Sequence, residues 1–266
     1  MDKSRIKLEK IEKSCFSTSS IYKSRDYYFL NHLTRKEYIV EFIHMKELSN
    51  FTSLLRSKKK LMTCIFLTLI LQIVISIITI KYDEQNNLVG ELTIGKSIGI
   101  LVTCLALIFM MSSSKISFTT KQILFIILSI INGLLLSSTI QRINDREVVE
   151  TAALSTLINF LLMLAFGMII VYAGYDLSWL GVYLFIGLII GITALIVTMF
   201  APQSKEINKK ISIGIVILFS LFIVYDTNNI LLKFGNTNKS DCIQGALTYY
   251  LDILNLFSNY LRIDNN

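Results

Sequence analysis

The chain has 266 residues, 53% of them hydrophobic and 17% charged, with a formal net charge of +7. An average soluble domain carries about 25% charged residues, so this composition excludes an ordinary soluble globular protein and points to a membrane. Residues 1–60 hold 14 Lys and Arg against 7 Asp and Glu, while the remainder holds 12 against 12, so the whole positive excess is N-terminal.

Residues 1–60 read as a polar, basic tail on the cytosolic side. Its end, "RSKKK" (Arg56 to Lys60), abuts the first long apolar run. Retention of basic residues on the inner side accounts for that placement, with contact to anionic lipid as an added role, and nucleic acid is not expected as a partner. Within the tail, Val40, Ile43, Leu48, Phe51 and Leu55 have roughly helical spacing, which fits either an interfacial helix or a loosely ordered segment.

A helix needs about 20 mostly apolar residues to cross a bilayer. Seven stretches of residues 61–263 qualify: Leu61–Ile80, Thr93–Met111, Gln122–Ile140, Thr151–Val171, Leu180–Phe200, Ile211–Leu232 and Ile243–Ile263. The expected fold is therefore an all-α integral membrane protein, a seven-transmembrane-helix bundle. Pro202, the only proline, falls at an expected helix end, where a missing N–H costs least. The four cysteines, Cys15, Cys64, Cys104 and Cys242, show neither metal nor disulfide spacing and are expected to be small apolar fillers.

The seventh stretch is the most polar. Gly245, Thr248, Asp252, Asn255 and Asn259 recur every three or four residues and so share one helix face. Lipid offers no hydrogen bonds, so that face must meet protein or water, and the last helix is expected at the centre of the bundle. Asp226 lies about two-thirds along the sixth stretch, with Asn229 one turn on. The short connection "KFGNTNKSDCI" makes the sixth and seventh helices antiparallel neighbours, with Asp226 and Asp252 at comparable depth. If the two carboxyls meet, repulsion and lost hydration both oppose double ionisation, and the pair titrates as a unit in two steps. One shared proton would then latch the helices. A hard cation, which prefers oxygen ligands, could take its place, which makes Asp226 and Asp252 candidates for calcium contact. Thr248, Asn229, Asn255 and Asn259 are candidate pore-lining or supporting groups.

At these residues the sequence resembles a known family. "FSLFIVYDTNNI" (Phe219–Ile230) followed by "ALTYYLDILNLFSNYLRI" (Ala246–Ile263) is similar to the end of the transmembrane BAX inhibitor motif, or lifeguard, family, and "GYDLSWLGVYLFIGLIIGI" (Gly174–Ile192) resembles that family's junction between the fourth and fifth spans. The resemblance implies a pH-sensitive, calcium-permeable leak channel gated by a buried di-aspartyl pair, Asp226 and Asp252, with an anti-apoptotic role in calcium homeostasis. It implies calcium as permeant or transiently bound ion, no cofactor, and other membrane proteins of cell-death or calcium pathways as partners beside the lipid bilayer. It further implies an endomembrane location (endoplasmic reticulum or Golgi) in a eukaryotic or viral setting and the cell membrane in a bacterial one. Some members carry a basic partner for the first aspartate at the cytosolic end of the second span; the nearest base here is Lys115.

Two other readings compete. A non-conducting membrane interaction protein regulating cell death would need the same helices but no pathway. An intramembrane aspartyl protease would also use two aspartates on adjacent helices. Its second motif has glycines before the aspartate, where this chain reads "TYYLD", and no phosphate loop, HExxH or nucleophile elbow is present, so no enzyme is expected.

Overall fold

A computed structural model describes residues 35–86, 88, 94–113, 116–200, 204–234 and 239–265, with side chains from Leu48 onward except at 94, 97, 199, 200 and 239. The chain divides into two units, residues 1–52 and 53–266. In the first, the described part is helical from Arg35.

The second unit is all-helical over its described residues. Over the described residues of the whole chain the helices are α1 (Arg35–Asn86), α2 (Ile94–Ser112), α3 (Phe118–Ile143), α4 (Arg146–Tyr172), α5 (Leu180–Phe200), α6 (Lys205–Lys233) and α7 (Lys239–Asp264). All seven apolar stretches are thus helices, and the all-α membrane architecture holds. Five of the helices, α1 and α3 to α6, are long and apolar enough to cross a membrane, and α2 contributes a shorter apolar helix, Ile98–Ser112. The last helix is the exception because its polar face lowers its mean hydropathy. It survives inside the bundle by turning that face to protein.

Local chemistry sets the joints. Ser117 caps α3 by accepting the Thr120 N–H, and Ser204 accepts the Ile207 N–H at the start of α6. Between α3 and α4 the chain reverses within two residues. Asn144 takes a left-handed conformation (φ 48°), which asparagine tolerates, and Asp145 accepts the N–H groups of Glu147 and Val148. Pro202 lies outside the described residues.

The last helix occupies the core. Tyr249, Tyr250, Leu256, Ala246 and Leu247 are essentially without solvent exposure. Its neighbours are α1, α3, α4 and α6, while α5 packs on α6 and α2 on α3. Close approach depends on glycine where helices touch backbone to backbone. A Cβ on Gly133 of α3 would sit 2.8 Å from the Thr79 Cβ and 2.9 Å from the Ser76 carbonyl oxygen of α1. Small residues at such crossings are how helices pack in lipid, where apolar association has little driving force.

The cysteine expectation is corrected. Cys64 of α1 and Cys242 of α7 form a disulfide with a Cα–Cα separation of 5.8 Å, although 178 residues separate them in sequence. Spacing along the chain cannot reveal a pair made by two helices that lie side by side only after folding. Cys104 is buried and free, as expected for a filler, and Cys15 lies outside the described residues.

Candidate functional site between the sixth and seventh helices

The antiparallel pair α6 and α7 is the most extensively packed pair in the bundle, and it brings the two aspartates together. The carboxyl groups of Asp226 and Asp252 lie within hydrogen-bonding reach of each other. Asp252 is 3% exposed and its Oδ2 has no partner among the described residues; Asp226 is partly buried. Two carboxylates have only acceptor atoms, so a hydrogen bond between them requires a proton on one.

Of the supporting candidates, Asn229 and Asn259 also present buried side-chain oxygens without a partner. The Asn259 amide nitrogen donates to the Asn255 carbonyl at 2.8 Å, which turns its oxygen away from its own helix. Asn229 lies three residues beyond Asp226, and Asn259 seven residues beyond Asp252 towards the other end of the bundle. At a helical rise of about 1.5 Å per residue, the unpaired acceptors span roughly 15 Å. Thr248 and Asn255 are not brought into that row by any hydrogen bond. Thr248 donates to the Gln244 carbonyl (3.0 Å) and Asn255 to the Leu251 carbonyl (2.8 Å), both on their own helix. Lys115 lies outside the described residues.

Aromatic and hydroxyl groups wall the pair. Tyr249, three residues before Asp252, is fully buried; its hydroxyl lies 2.9 Å from Thr227 Oγ1, and its ring meets Phe160 edge-on at 5.4 Å. Gly167 of α4 allows α6 to come close beside Thr227. Next to Tyr249, the Tyr250 hydroxyl lies 2.7 Å from Ser76 Oγ, and Ser129 donates to Gln72 Oε1 at 2.6 Å. This second polar cluster among α1, α3 and α7 was not anticipated. Its signal was present in the sequence as Gln72 and Ser76, an amide and a hydroxyl one helical turn apart inside the largely apolar Leu61–Ile80.

Two further groups escaped the sequence reading. Lys58 and Lys121 are buried at the end of the bundle that holds the α6–α7 connection. Lys58 donates to the Phe234 carbonyl, and Lys121 donates to Ser240 Oγ at 2.8 Å. In the sequence they belong to basic clusters that look solvated. Asn228, two residues from Asp226, is also fully buried. Its side chain donates to the Tyr175 carbonyl (2.8 Å) and accepts the Leu177 N–H (3.0 Å), so it grips the α4–α5 loop from both sides of the amide. Gly174, at φ +79°, supplies the turn that starts this loop. In the same loop Asp176 accepts from the Ser178 N–H and hydroxyl, and Lys233 donates to Ser178 Oγ. These hydrogen bonds, with the Lys233 charge nearby, hold the Asp176 carboxyl below the usual carboxylate range.

Among the described residues no group of three or more His, Cys, Asp or Glu side chains is placed to hold a metal. A cation at the aspartate pair would have to draw on amide and carbonyl oxygens as well, which is the donor set calcium accepts.

Comparison of the sequence with known proteins finds a family. The family model described as "Inhibitor of apoptosis-promoting Bax1" matches residues 58–265. Protein LIFEGUARD 1 of Arabidopsis thaliana is 34% identical over 122 residues, covering 46% of this chain and 50% of that protein. Protein LIFEGUARD 4 of the same plant is 30% identical over 117 residues, covering 44% and 46%. The matches thus span about half the length of these two relatives. A protein of Rickettsia prowazekii is 30% identical over 209 residues, 75% of this chain and 85% of its own length.

Proposed function

The chain belongs to the family of inhibitors of apoptosis-promoting Bax1, and on that premise we propose that it is a pH-sensitive, calcium-permeable leak channel whose gate is the Asp226–Asp252 pair. One observation carries the reading: the contact of the two carboxyls, flanked along the same helix pair by buried amide oxygens of Asn229 and Asn259 that meet no donor among the described residues. Buried polar atoms are ordinarily satisfied. Buried acceptors that meet no donor among the described residues of a membrane bundle suit a cation or its hydration water, and would be costly to maintain for packing alone.

The gate follows from charge. With one proton shared, the pair holds α6 and α7 together. Without it, two like charges in contact repel, and an entering cation can replace the proton as the bridge. The buried ammonium groups of Lys58 and Lys121 lie at one end of this helix pair and set the electrostatic barrier there. The basic residues Arg56 to Lys60, which lie within α1 just ahead of its apolar stretch, support a cytosolic N-terminus. Regulated calcium leak across an internal membrane, or the cell membrane in a bacterium, then connects the family's anti-apoptotic name to calcium homeostasis. The chain acts as a conduit, with neither catalysis nor a resident cofactor.

Purified protein in liposomes loaded with a calcium-sensitive dye tests the reading. Wild type should pass calcium at a rate that changes with pH, and Asp226→Asn and Asp252→Asn should each flatten that dependence. Equal flux and equal pH response in all three proteins would overturn the gate. No flux from well-folded wild type would leave a non-conducting interaction protein.

A further inference from the structure

The face of α7 opposite the aspartates borders a separate cavity of about 1110 Å³ between α1, α3, α4 and α7. Tyr250, Ile253, Leu254 and Phe257 line it, in steps of three and four residues, whereas Asp252, Asn255 and Asn259 lie on the other side of the helix. The cavity therefore does not belong to the carboxylate pair, and nothing in the proposed gate uses it.

Its lining changes character with depth. The mouth carries both signs of charge: Lys81 and Glu84 of α1, Asp145 at the α3–α4 turn, and Arg146 and Glu150 of α4. Arg146 and Glu150 pair at 2.7 Å with both side chains largely exposed. Below the mouth the walls are aliphatic, among them Ile77, Leu136, Ile140, Leu157 and Leu254. At the deep end are Ile73 and Phe160, with the hydroxyls of Ser76 and Tyr250 already bonded to each other. From Glu84 back to Ile73, and from Glu150 on to Phe160, the cavity runs along about three helical turns, or roughly 15 Å. That is half of a hydrocarbon core about 30 Å thick, the depth of one leaflet.

We propose that this cavity is a binding site for one zwitterionic glycerophospholipid, seated as it would be in the adjoining leaflet. The apolar shaft takes acyl chain. Lys81 and Arg146 meet the phosphate, and Glu84, Asp145 and Glu150 meet the head-group ammonium. A purely anionic lipid would leave three carboxylates facing its charge, and the polar hydroxyls at the bottom offer an acyl chain no unpaired group. Occupied, the site braces α7 from behind and presses it towards α6, so lipid supply is a second input to the position of the last helix.

The experiment reads lipid retention, and so stands apart from any calcium measurement. Full-length protein is incorporated in nanodiscs of equal parts phosphatidylethanolamine and phosphatidylglycerol, extracted into mild detergent, and weighed by native mass spectrometry. Wild type should retain one phosphatidylethanolamine per chain. Ala153 lines the cavity and is exposed, so Ala153→Trp fills the shaft without entering the packed core. It should lower retention at least tenfold. Leu154→Trp, on an exposed neighbour that does not line the cavity, should retain lipid as wild type does. Lys81→Glu should lower retention severalfold with the fold intact. No retained lipid in wild type, preferential retention of phosphatidylglycerol, or equal retention in Ala153→Trp and Leu154→Trp would each overturn the proposal.

Discussion

Gly167 of α4 faces Thr227 of α6 so closely that a Cβ on the glycine would lie 2.7 Å from the threonine Cβ and 3.1 Å from the Val224 carbonyl oxygen. The contact falls one residue after Asp226. The helix that carries the first aspartate is therefore positioned by backbone approach, which leaves no room for a side chain.

Enlarging that glycine should force α4 and α6 apart. Overpacking of a tight contact costs about 1–3 kcal/mol, which for a domain of this size is roughly 2–12 °C in melting temperature. Gly167→Val should melt lower by that order in a detergent thermal-shift assay. Gly214, which has nothing within 4 Å of a built Cβ, should accept alanine without loss. Equal melting of Gly167→Val and wild type would show that the helices separate freely.

Asn228 should matter more than its neighbours' hydroxyls. Replacing it by alanine removes its bonds to the Tyr175 carbonyl and the Leu177 N–H, and because this loop is at least partly exposed the loss is that of ordinary hydrogen bonds, about 0.5–1.5 kcal/mol each. Hydrogen exchange at the Leu177 amide should accelerate strongly in Asn228→Ala. Unchanged protection would mean that the loop holds its shape without the clasp.

By contrast, Tyr250→Phe removes only the hydroxyl that meets Ser76. Side-chain hydrogen bonds between membrane helices average about 0.6 kcal/mol and reach about 1.7. The melting temperature should fall by less than in Gly167→Val. A larger drop would show that the Gln72–Ser129 and Ser76–Tyr250 contacts act as one cooperative network.

Acid should loosen the α4–α5 loop through Asp176. Ser178 and Lys233 favour its ionised form, so its folded-state value lies below that of the unfolded chain. Such a group stabilises fully above the unfolded value near 3.9, and the contribution disappears as pH falls through the lowered folded value. Protection of the Ser178 amide, corrected for intrinsic exchange, should decline as pH is lowered below about 4. In Asp176→Asn it should be weaker throughout and should lack that decline. Superimposable curves would remove Asp176 from the loop's stability.

Hydropathy identified every helix of the bundle because each one meets lipid or core along its length. It misplaced the ends. Leu61–Ile80 is apolar, yet α1 continues to Asn86, since Lys81 to Asn86 are polar enough for an interface and still helical. The period of Asp252, Asn255 and Asn259 revealed a protein-facing stripe, because a helix in lipid has no other way to place such groups. Periodicity could not separate Asn228 from Asn229. The first is clasped by a loop and the second carries an unpaired oxygen, a difference set by which neighbour each meets. Lys58 and Lys121 looked like solvated charges for the same reason: their burial comes from the chain passing over them at Phe234 and Ser240.

The Cys64–Cys242 bond turns the polypeptide between those residues into a covalent ring that includes all of α2 to α6. A single backbone cut in any connection inside the ring, such as the loop around Asp176, leaves one molecule on a non-reducing gel and two fragments once thiol is added. A nicked chain would therefore keep its helices tethered.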